Sequence, residues 1–593
     1  MKTKIFLLLV LVFSFSCEDF LDEDLISGLP YAQYETESGV EQGLNGAYSY
    51  LRSTYGSQNA QRFTECGTDI YTEGNDGTSG TKPFHWYSNA LAPDYDYIHD
   101  FWSDLYLGIN TCNVVLYYIP QATEEDFFTN ENGRAIRMGE ARFLRALYYF
   151  LLVQTYGDVP LLLEASFEPR TNIKRSPVSV VYQSIINDLR YAEEVLPPAS
   201  ATDYGRATKG AAQHLIAKVY LTRASAVTED RGQKSTDLDS AIFYSEKVIN
   251  NDDYSLIPNI SDLWDPDNQG NEEVIFAVQF GTDILVNPSG NSSHHLFICD
   301  YSKNNTAKGI PRSLEYGFSF SRVFTTNYIL DVYDNLIDSR FYKTFRMHYM
   351  CTASDPRIPR WSEAGAPSEE LVNTPKYSVG DTALYLVLRE VTEEEKEKAP
   401  YVLYGLSDFE QRTFPSLQKH HDPFRESAQD NRGTREVVLM RLGETYLIAG
   451  ESHARKGNIS KALEYFNEIR ERAAYKEGET KPKEYVTVHG GDTNNINTST
   501  VDDMMIDASD IQGDNLVDFV LDERARELVG EYWRWFDLVR TEKFYDRVTK
   551  YNGNETTLSN VRPEHKLRPI PSVHIERLDD PGPVSEEQNP GYY

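Results

Sequence analysis

Apolar positions recur at helical spacing over much of the chain. From Asp100 onward, Trp102, Leu105, Tyr106, Ile109 and Val114 fall at intervals that place them along one side of a helix. Gly139 to Tyr156 repeats the pattern with Ala141, Leu144, Ala146, Leu147, Phe150 and Leu151. It stops at Gly157-Asp158-Val159-Pro160, where glycine suits a left-handed cap and proline forbids continuation. Three further stretches follow: Pro177 to Leu196, ended by Pro197-Pro198; Ala207 to about Ala226; and Leu238 to Asn250. Ala211, Ala212 and Ala217 leave room for a neighbouring helix to approach closely.

The clearest pair comes late. Val437 to Ala454 and Ile459 to Ala474 are separated by the turn Arg455-Lys456-Gly457-Asn458. Two helices, a Gly-Asn turn and alternating small and aromatic residues over about 34 residues look like a tetratricopeptide unit. Such pairs stack their apolar faces into a curved superhelix. The expected fold is therefore mainly α. It is a tetratricopeptide-like scaffold of about four helical pairs, near 100–250 and 437–474, with long irregular loops and few short strands.

Segments of different character interrupt the helices. Thr68 to Tyr97 is rich in Gly, Asn, Asp and aromatics. Glu273 to Phe280 alternates and predicts a strand. Gly281 to Asp355 is mixed, and Asp355 to His421 holds the charged run Glu393 to Lys398, read as a solvated loop or short helix. Gly478 to Gly513 is polar and weakly patterned. Long connections often carry function, so 68–97 and 281–421 are the first places to look.

Composition narrows the partners. Across 593 residues, 58 Lys and Arg face 91 Asp and Glu, a formal charge of −33. Such a surface repels phosphate backbones and argues against nucleic acid. The N-terminus adds an address. Met1-Lys2-Thr3-Lys4 is basic, Ile5 to Phe15 is almost wholly apolar, and Ser14-Phe15-Ser16 precedes Cys17. That apolar run is too short to span a bilayer, which needs about twenty residues. Residues 1–16 therefore read as a lipoprotein signal peptide, with Cys17 acylated and residues 17–593 tethered as a single body. An ordinary secretory signal with Cys17 as a plain thiol is the alternative, and Phe15 departs from a strict cleavage motif. Cys66, Cys112, Cys299 and Cys351 are too far apart for a close-spaced zinc motif and are expected as mostly free, buried thiols.

Residues at both ends carry a resemblance. They are Cys17-Glu18-Asp19-Phe20-Leu21-Asp22, Gly43 to Tyr48, Gly157 to Leu161, Asp522 to Leu528, Arg534 to Arg540, Leu567 to Pro571, and Gln588 to Tyr592. In this order they resemble the SusD/RagB family over nearly the whole chain, with 516–593 as a family-like C-terminal block. The resemblance implies an outer-membrane lipoprotein of Bacteroidetes that faces the cell exterior. It implies a protein that is not an enzyme and has no cofactor, capturing a glycan or peptide oligomer for a SusC-like TonB-dependent transporter. The C-terminal block also alternates in sign at helical spacing, through Glu523, Arg524, Arg526, Glu527, Glu531, Arg534, Asp537 and Arg540. These charges predict ion pairs that fix how the last helices dock, and Pro569 and Pro571 predict an extended strap.

A sugar offers C–H faces to aromatic rings and hydroxyls to polar side chains. Trp86, Tyr87 and Asn89, in a loop, fit that need, and their spacing resembles the ligand platform of starch-binding members. Asp69 is a further polar candidate. Tyr316, Phe318 and Phe320 alternate, so an extended backbone would project all three to one side as a second wall. Trp361 is another loop ring. Loop packing is the competing reading for each. The adjacent pairs His294-His295 and His420-His421 lack a helical metal spacing, and Asp265 to Gly270 lacks the bidentate glutamate of a calcium loop, so no metal site is expected. A lipid-anchored glycoside hydrolase and a protein-binding tetratricopeptide-like scaffold are the rival functions.

Overall fold

Residues 34–75, 80–121, 133–334, 337–476, 500–513 and 515–592 are described by the computed structural model. Cys17 and the signal segment lie outside them, as does much of the polar stretch at 478–513. The scaffold runs through α1 (Glu37–Tyr55), α2 (Asp96–Tyr118), α3 (Gly133–Tyr156), α4 (Val178–Val195), α5 (Lys209–Ser225), α6 (Asp237–Ile249), α7 (Leu442–Arg455) and α8 (Ile459–Ala473). Each packs against the next in that order, and α7 closes onto α6 across the long insertion. The fold is mainly α with tetratricopeptide-like helical architecture. From Phe143 to Tyr156, α3 is buried on every side, in keeping with an apolar and aromatic run interrupted only by Arg145, Gln154 and Thr155. No helix among the described residues is long and apolar enough to cross a membrane.

Strands are short: β1 (Tyr71–Glu73), β2 (Val274–Val278), β3 (Val323–Thr325), β4 (His348–Met350), β5 (Thr382–Leu386), β6 (Val402–Tyr404) and β7 (Val437–Arg441). β7 corrects the expected helix start at Val437. Its five residues are buried and pair antiparallel with β2 before the chain turns into α7 at Leu442. β-branched Val437 and Val438 favour the extended form once both faces are covered. β2 itself is buried throughout rather than alternating, because α1 and α5 lie against it. The run Glu393–Lys398 is a short helix with a capping box from Thr392 and Glu395.

The C-terminal charges dock α9 (Asn515–Leu528), α10 (Arg534–Arg540) and α11 (Phe544–Tyr551). Fully buried Glu527 meets Arg441 at 2.7 Å, Arg340 at 3.0 Å, and Arg472. Burial alone would raise its pKa, but the guanidiniums of Arg472, Arg441 and Arg340 hold it far below the carboxylate range. Arg524 bridges Glu444 and Asp537, each at 2.7 Å, and Arg540 bridges Glu451 at 2.7 Å and Asp537 at 2.9 Å. Buried pairs like these add little net stability compared with an apolar core, yet removing one partner is costly. They tie α9 and α10 to the scaffold helix α7. The strap is also present: Arg568 N–H donates to the Thr155 carbonyl at 2.8 Å, and Gln588 brackets both backbone groups of Ile570 at 2.7 Å. Gly157 takes φ +73° at the end of α3, and a side chain there would meet Leu567 of the strap at 3.1 Å. Cys66, Cys112, Cys299 and Cys351 are free and buried.

Candidate functional site

The described part of the loop 68–97 holds the short helix Lys82–Trp86. Phe84 turns inward onto the edge of Phe63, and buried His85 accepts from the Gly67 N–H at 3.0 Å. Burial pushes the His85 imidazole down to about 3, so it is neutral. Tyr87 caps the helix in a left-handed conformation (φ 51°), donates its hydroxyl to the Gly67 carbonyl at 2.9 Å, and stacks on His565. With Phe84, His85 and Tyr87 pinned inside, Trp86 stays half-buried and Asn89 exposed. The Trp86 indole donates to Glu73 at 2.6 Å, while Lys82 lies 4.9 Å from the ring centre and 3.4 Å from the same carboxylate.

Glu73 belongs to β1, whose antiparallel partner β3 brings the distant second segment alongside, with Glu73 opposite Val323. Gly74 permits the contact, since a Cβ there would fall 2.3 Å from the Ser321 carbonyl oxygen. The two candidate walls therefore meet backbone to backbone. On the second wall Phe318 and Phe320 stack at 5.9 Å, both half-buried, with His295 beneath at 5.5 and 5.6 Å. Arg312 covers Phe318 and Arg322 covers Phe320, each guanidinium 3.8 Å from the ring centre. Burial lowers Arg322 to about 9, which leaves it cationic at neutral pH. The second wall thus sets its rings against guanidiniums, half-buried Arg312, which donates to the Ser319 carbonyl at 2.7 Å, and buried Arg322, and the first sets an indole beside an acid and an amine.

Three expected site residues are elsewhere. Tyr87 is 2% exposed and braces the loop from within. Asp69 is fully buried and ion-paired to Arg534 at 2.5 Å and Arg547 at 2.9 Å, so its carboxylate orients α10 and α11 rather than facing solvent. Tyr316 does not share the side of Phe318 and Phe320. Gly317 at φ +81° breaks the extended alternation, and Tyr316 packs on Tyr301 and Tyr349 with its hydroxyl accepting from the Met350 N–H at 2.9 Å. Trp361 is buried under Lys376. His294 and His420 are buried and hydrogen-bonded to the carbonyls of Asn431 (3.0 Å) and Gly530 (2.8 Å). Asp265 caps a short 3-10 turn by accepting from the Asp267 N–H. Among the described residues, no three His, Cys, Asp or Glu side chains gather as a metal site.

Sequence reasoning missed Glu73, Lys82, Arg312 and Arg322. Lys82 was accessible, lying four residues before Trp86 at helical spacing. Glu73 and Arg322 depend on the β1–β3 pairing, which has no local signature.

Comparison with known proteins accords with this architecture. Residues 19–221 match a SusD-like family described as starch-binding and associating with the outer membrane, and residues 332–592 match the SusD family. A SusD-like protein of Formosa agariphila is 26% identical over 95% of this chain and 95% of its own length. The starch-binding protein SusD of Bacteroides thetaiotaomicron is 33% identical over 26% of this chain and 27% of its own. Among solved structures, a laminarin-binding SusD-like protein superposes with a TM-score of 0.61 at 22% identity, covering 94% of this chain and 100% of that one. Surface glycan-binding protein A of Bacteroides fluxus gives 0.63 at 20% identity, covering 94% and 100%. With SusD-type sequence signatures over well over half its length and the SusD scaffold throughout, the chain belongs to the SusD/RagB family.

Proposed function

We propose that this chain is a surface lipoprotein, anchored to the outer membrane through Cys17, that captures a glycan oligomer and delivers it to a SusC-like TonB-dependent transporter. The observation that carries the reading is the outward pair Trp86 and Asn89. Trp86 ends a short helix whose Phe84 and His85 are pinned inside, exposed Asn89 follows three residues later, and the β1–β3 pairing brings the segment of Phe318, Phe320 and Arg312 alongside. An indole face packs on sugar C–H groups, while amide and guanidinium groups pair with hydroxyls. Relatives named for starch, laminarin and surface glycan binding support a glycan over a peptide. Binding is favoured over hydrolysis because the nearest carboxylate, Glu73, is already engaged by Trp86 and Lys82, whereas glycoside cleavage needs an acid and a second carboxylate free on either side of the scissile bond.

The test is the full-length chain, purified in detergent, on an array of neutral glycans and peptides, alongside Trp86→Ala. Trp86→Ala is expected to weaken glycan binding by about tenfold or more, equivalent to about 1.4 kcal/mol, with near-wild-type melting. Unchanged binding by the variant favours a protein scaffold instead. Product release abolished by a single carboxylate substitution favours a hydrolase, and retention of peptides alone rejects the glycan.

A further inference from the structure

We infer that the cleft over the edge strand β6 is a second saccharide subsite, so that the chain takes a long neutral oligosaccharide rather than a short one. This rests on the glycan reading above. The cleft holds about 470 Å³ and is lined by Tyr401, Tyr404, Asn305, Thr306, Asp408 and Glu410. Both tyrosines are half-buried, while Asn305, Thr306 and Glu410 are exposed. Rings beside amide, hydroxyl and carboxylate groups are the chemistry that a polyhydroxylated ring requires. Charge favours a neutral ligand. Asp408 is paired with Lys396 at 2.7 Å, and Lys376 already donates to the carbonyls of Lys396 and Glu397 at 2.9 Å and Ala399 at 3.1 Å. Lys376 and Lys396 balance Asp408 and Glu410 around the cleft, so no net charge is left to attract an ion.

The cleft is preformed. Buried Asn304 accepts from the N–H groups of Thr306 (2.8 Å) and Ala307 (2.7 Å) and donates to the Thr413 hydroxyl at 2.9 Å. This ties the 304–307 loop to the turn 410–413, itself closed by reciprocal backbone bonds between Glu410 and Thr413. A preorganised site avoids the ordering cost of binding.

The segments that frame the cleft are also tied to the platform. Ser321, between Phe320 and Arg322, donates its hydroxyl to the Gln411 carbonyl, one residue from Glu410. Ser319, between Phe318 and Phe320, bonds Asp300 at 3.1 Å and Ser302 at 2.7 Å on the loop that continues to Asn305 and Thr306. The Phe318–Phe320 segment is therefore fastened to the loop and the turn that frame the tyrosine cleft, and the long oligomer we infer spans from one to the other.

The test is calorimetric titration of the full-length chain in detergent with laminarin and with starch, each as polymer and as trisaccharide. Tyr404→Ala and Glu410→Gln are the variants, the second being exposed and safe for folding, with Trp86→Ala as control. Wild type is expected to bind at least one polymer about tenfold tighter than its trisaccharide. Each cleft variant should lose about fivefold on the polymer, the worth of one net hydrogen bond or ring contact, and nothing on the trisaccharide. Trp86→Ala should lose both. Cleft variants that match wild type on the polymer, while Trp86→Ala loses binding, overturn the subsite and leave the glycan reading intact. A wild-type chain that retains neither glycan in either length refutes the glycan reading, and the subsite falls with it.

Discussion

Replacing Asp69 by asparagine separates an internal ion cluster from a ligand contact. One carboxylate oxygen accepts from Arg534 Nε at 2.7 Å, and the other accepts from Arg534 Nη2 at 2.5 Å and Arg547 Nε at 2.9 Å. Burial by itself would raise this carboxyl, but Arg534 and Arg547 outweigh it and hold the group below its usual range. In Asp69→Asn, one oxygen becomes an NH₂ group aimed at guanidinium donors, and two buried cations lose their shared charge. Breaking a buried pair from one side costs about 3–5 kcal/mol. In a cooperative unit of this size that shifts melting by on the order of 3 °C. The assay is scanning calorimetry at fixed scan rate, at pH 7 and again in acid. Because the folded pKa is depressed, this stabilisation is present above the unfolded value of about 3.9 and fades as pH falls through the folded value. The gap between wild type and variant should therefore narrow below about pH 4. A variant that melts like wild type but no longer binds glycan would refute the reasoning, placing Asp69 against the ligand.

Four more outcomes are expected. Glu527→Gln should destabilise at least as much as Asp69→Asn in the same calorimeter, since Arg340, Arg441 and Arg472 all converge on that carboxylate; an unchanged midpoint contradicts the docking role. Burial alone would raise Glu451, yet Arg540 and Arg455 hold it down to about 2. Its stabilisation should be intact above the unfolded value of about 4.3 and lost as pH falls toward 2, visible as a midpoint that drops steeply across that window in wild type and less in Glu451→Gln. Tyr316→Phe removes the hydroxyl that accepts from the Met350 N–H and interacts with Glu315. It should cost about 1–2 kcal/mol in denaturant titration with no change in glycan affinity, and lost affinity would return Tyr316 to the binding wall. Iodoacetamide followed by mass spectrometry should leave Cys66, Cys112, Cys299 and Cys351 unmodified in the native chain, as burial pushes the Cys112 thiol up to about 12. Rapid labelling of any of them before unfolding would disagree with the packing.

Much of the scaffold was legible because its signals are local. The apolar periodicity of Gly139–Tyr156, the stop at Gly157-Asp158-Val159-Pro160 and the turn at Gly457-Asn458 each act within a few residues. The alternating charges from Glu523 to Arg540 also announced ion pairing, although not the partners Arg340, Arg441, Arg472, Glu444 and Glu451 that approach from other helices and loops. The site was only half legible. Of the candidates in their loop Trp86 and Asn89 are left outward, but composition could not distinguish them from Tyr87, an adjacent ring of similar chemistry that turns inside. Asp69 shows the same limit for carboxylates. A buried acid is acceptable only where cations surround it, and those cations lie far along the chain at Arg534 and Arg547.

Periodicity, caps and composition by themselves determined a mainly helical repeat scaffold with an acidic surface and aromatic loops, because each of those properties is a sum over neighbouring residues. Which aromatics face out, which charges are neutralised inside, and that Glu73 beneath the Trp86 indole pairs with Val323 of the distant second segment were decided only by tertiary structure. The β1–β3 pairing, the bare Cα of Gly74 and the positive φ of Gly317 set those directions, and a side chain's exposure depends on what the rest of the chain packs against it.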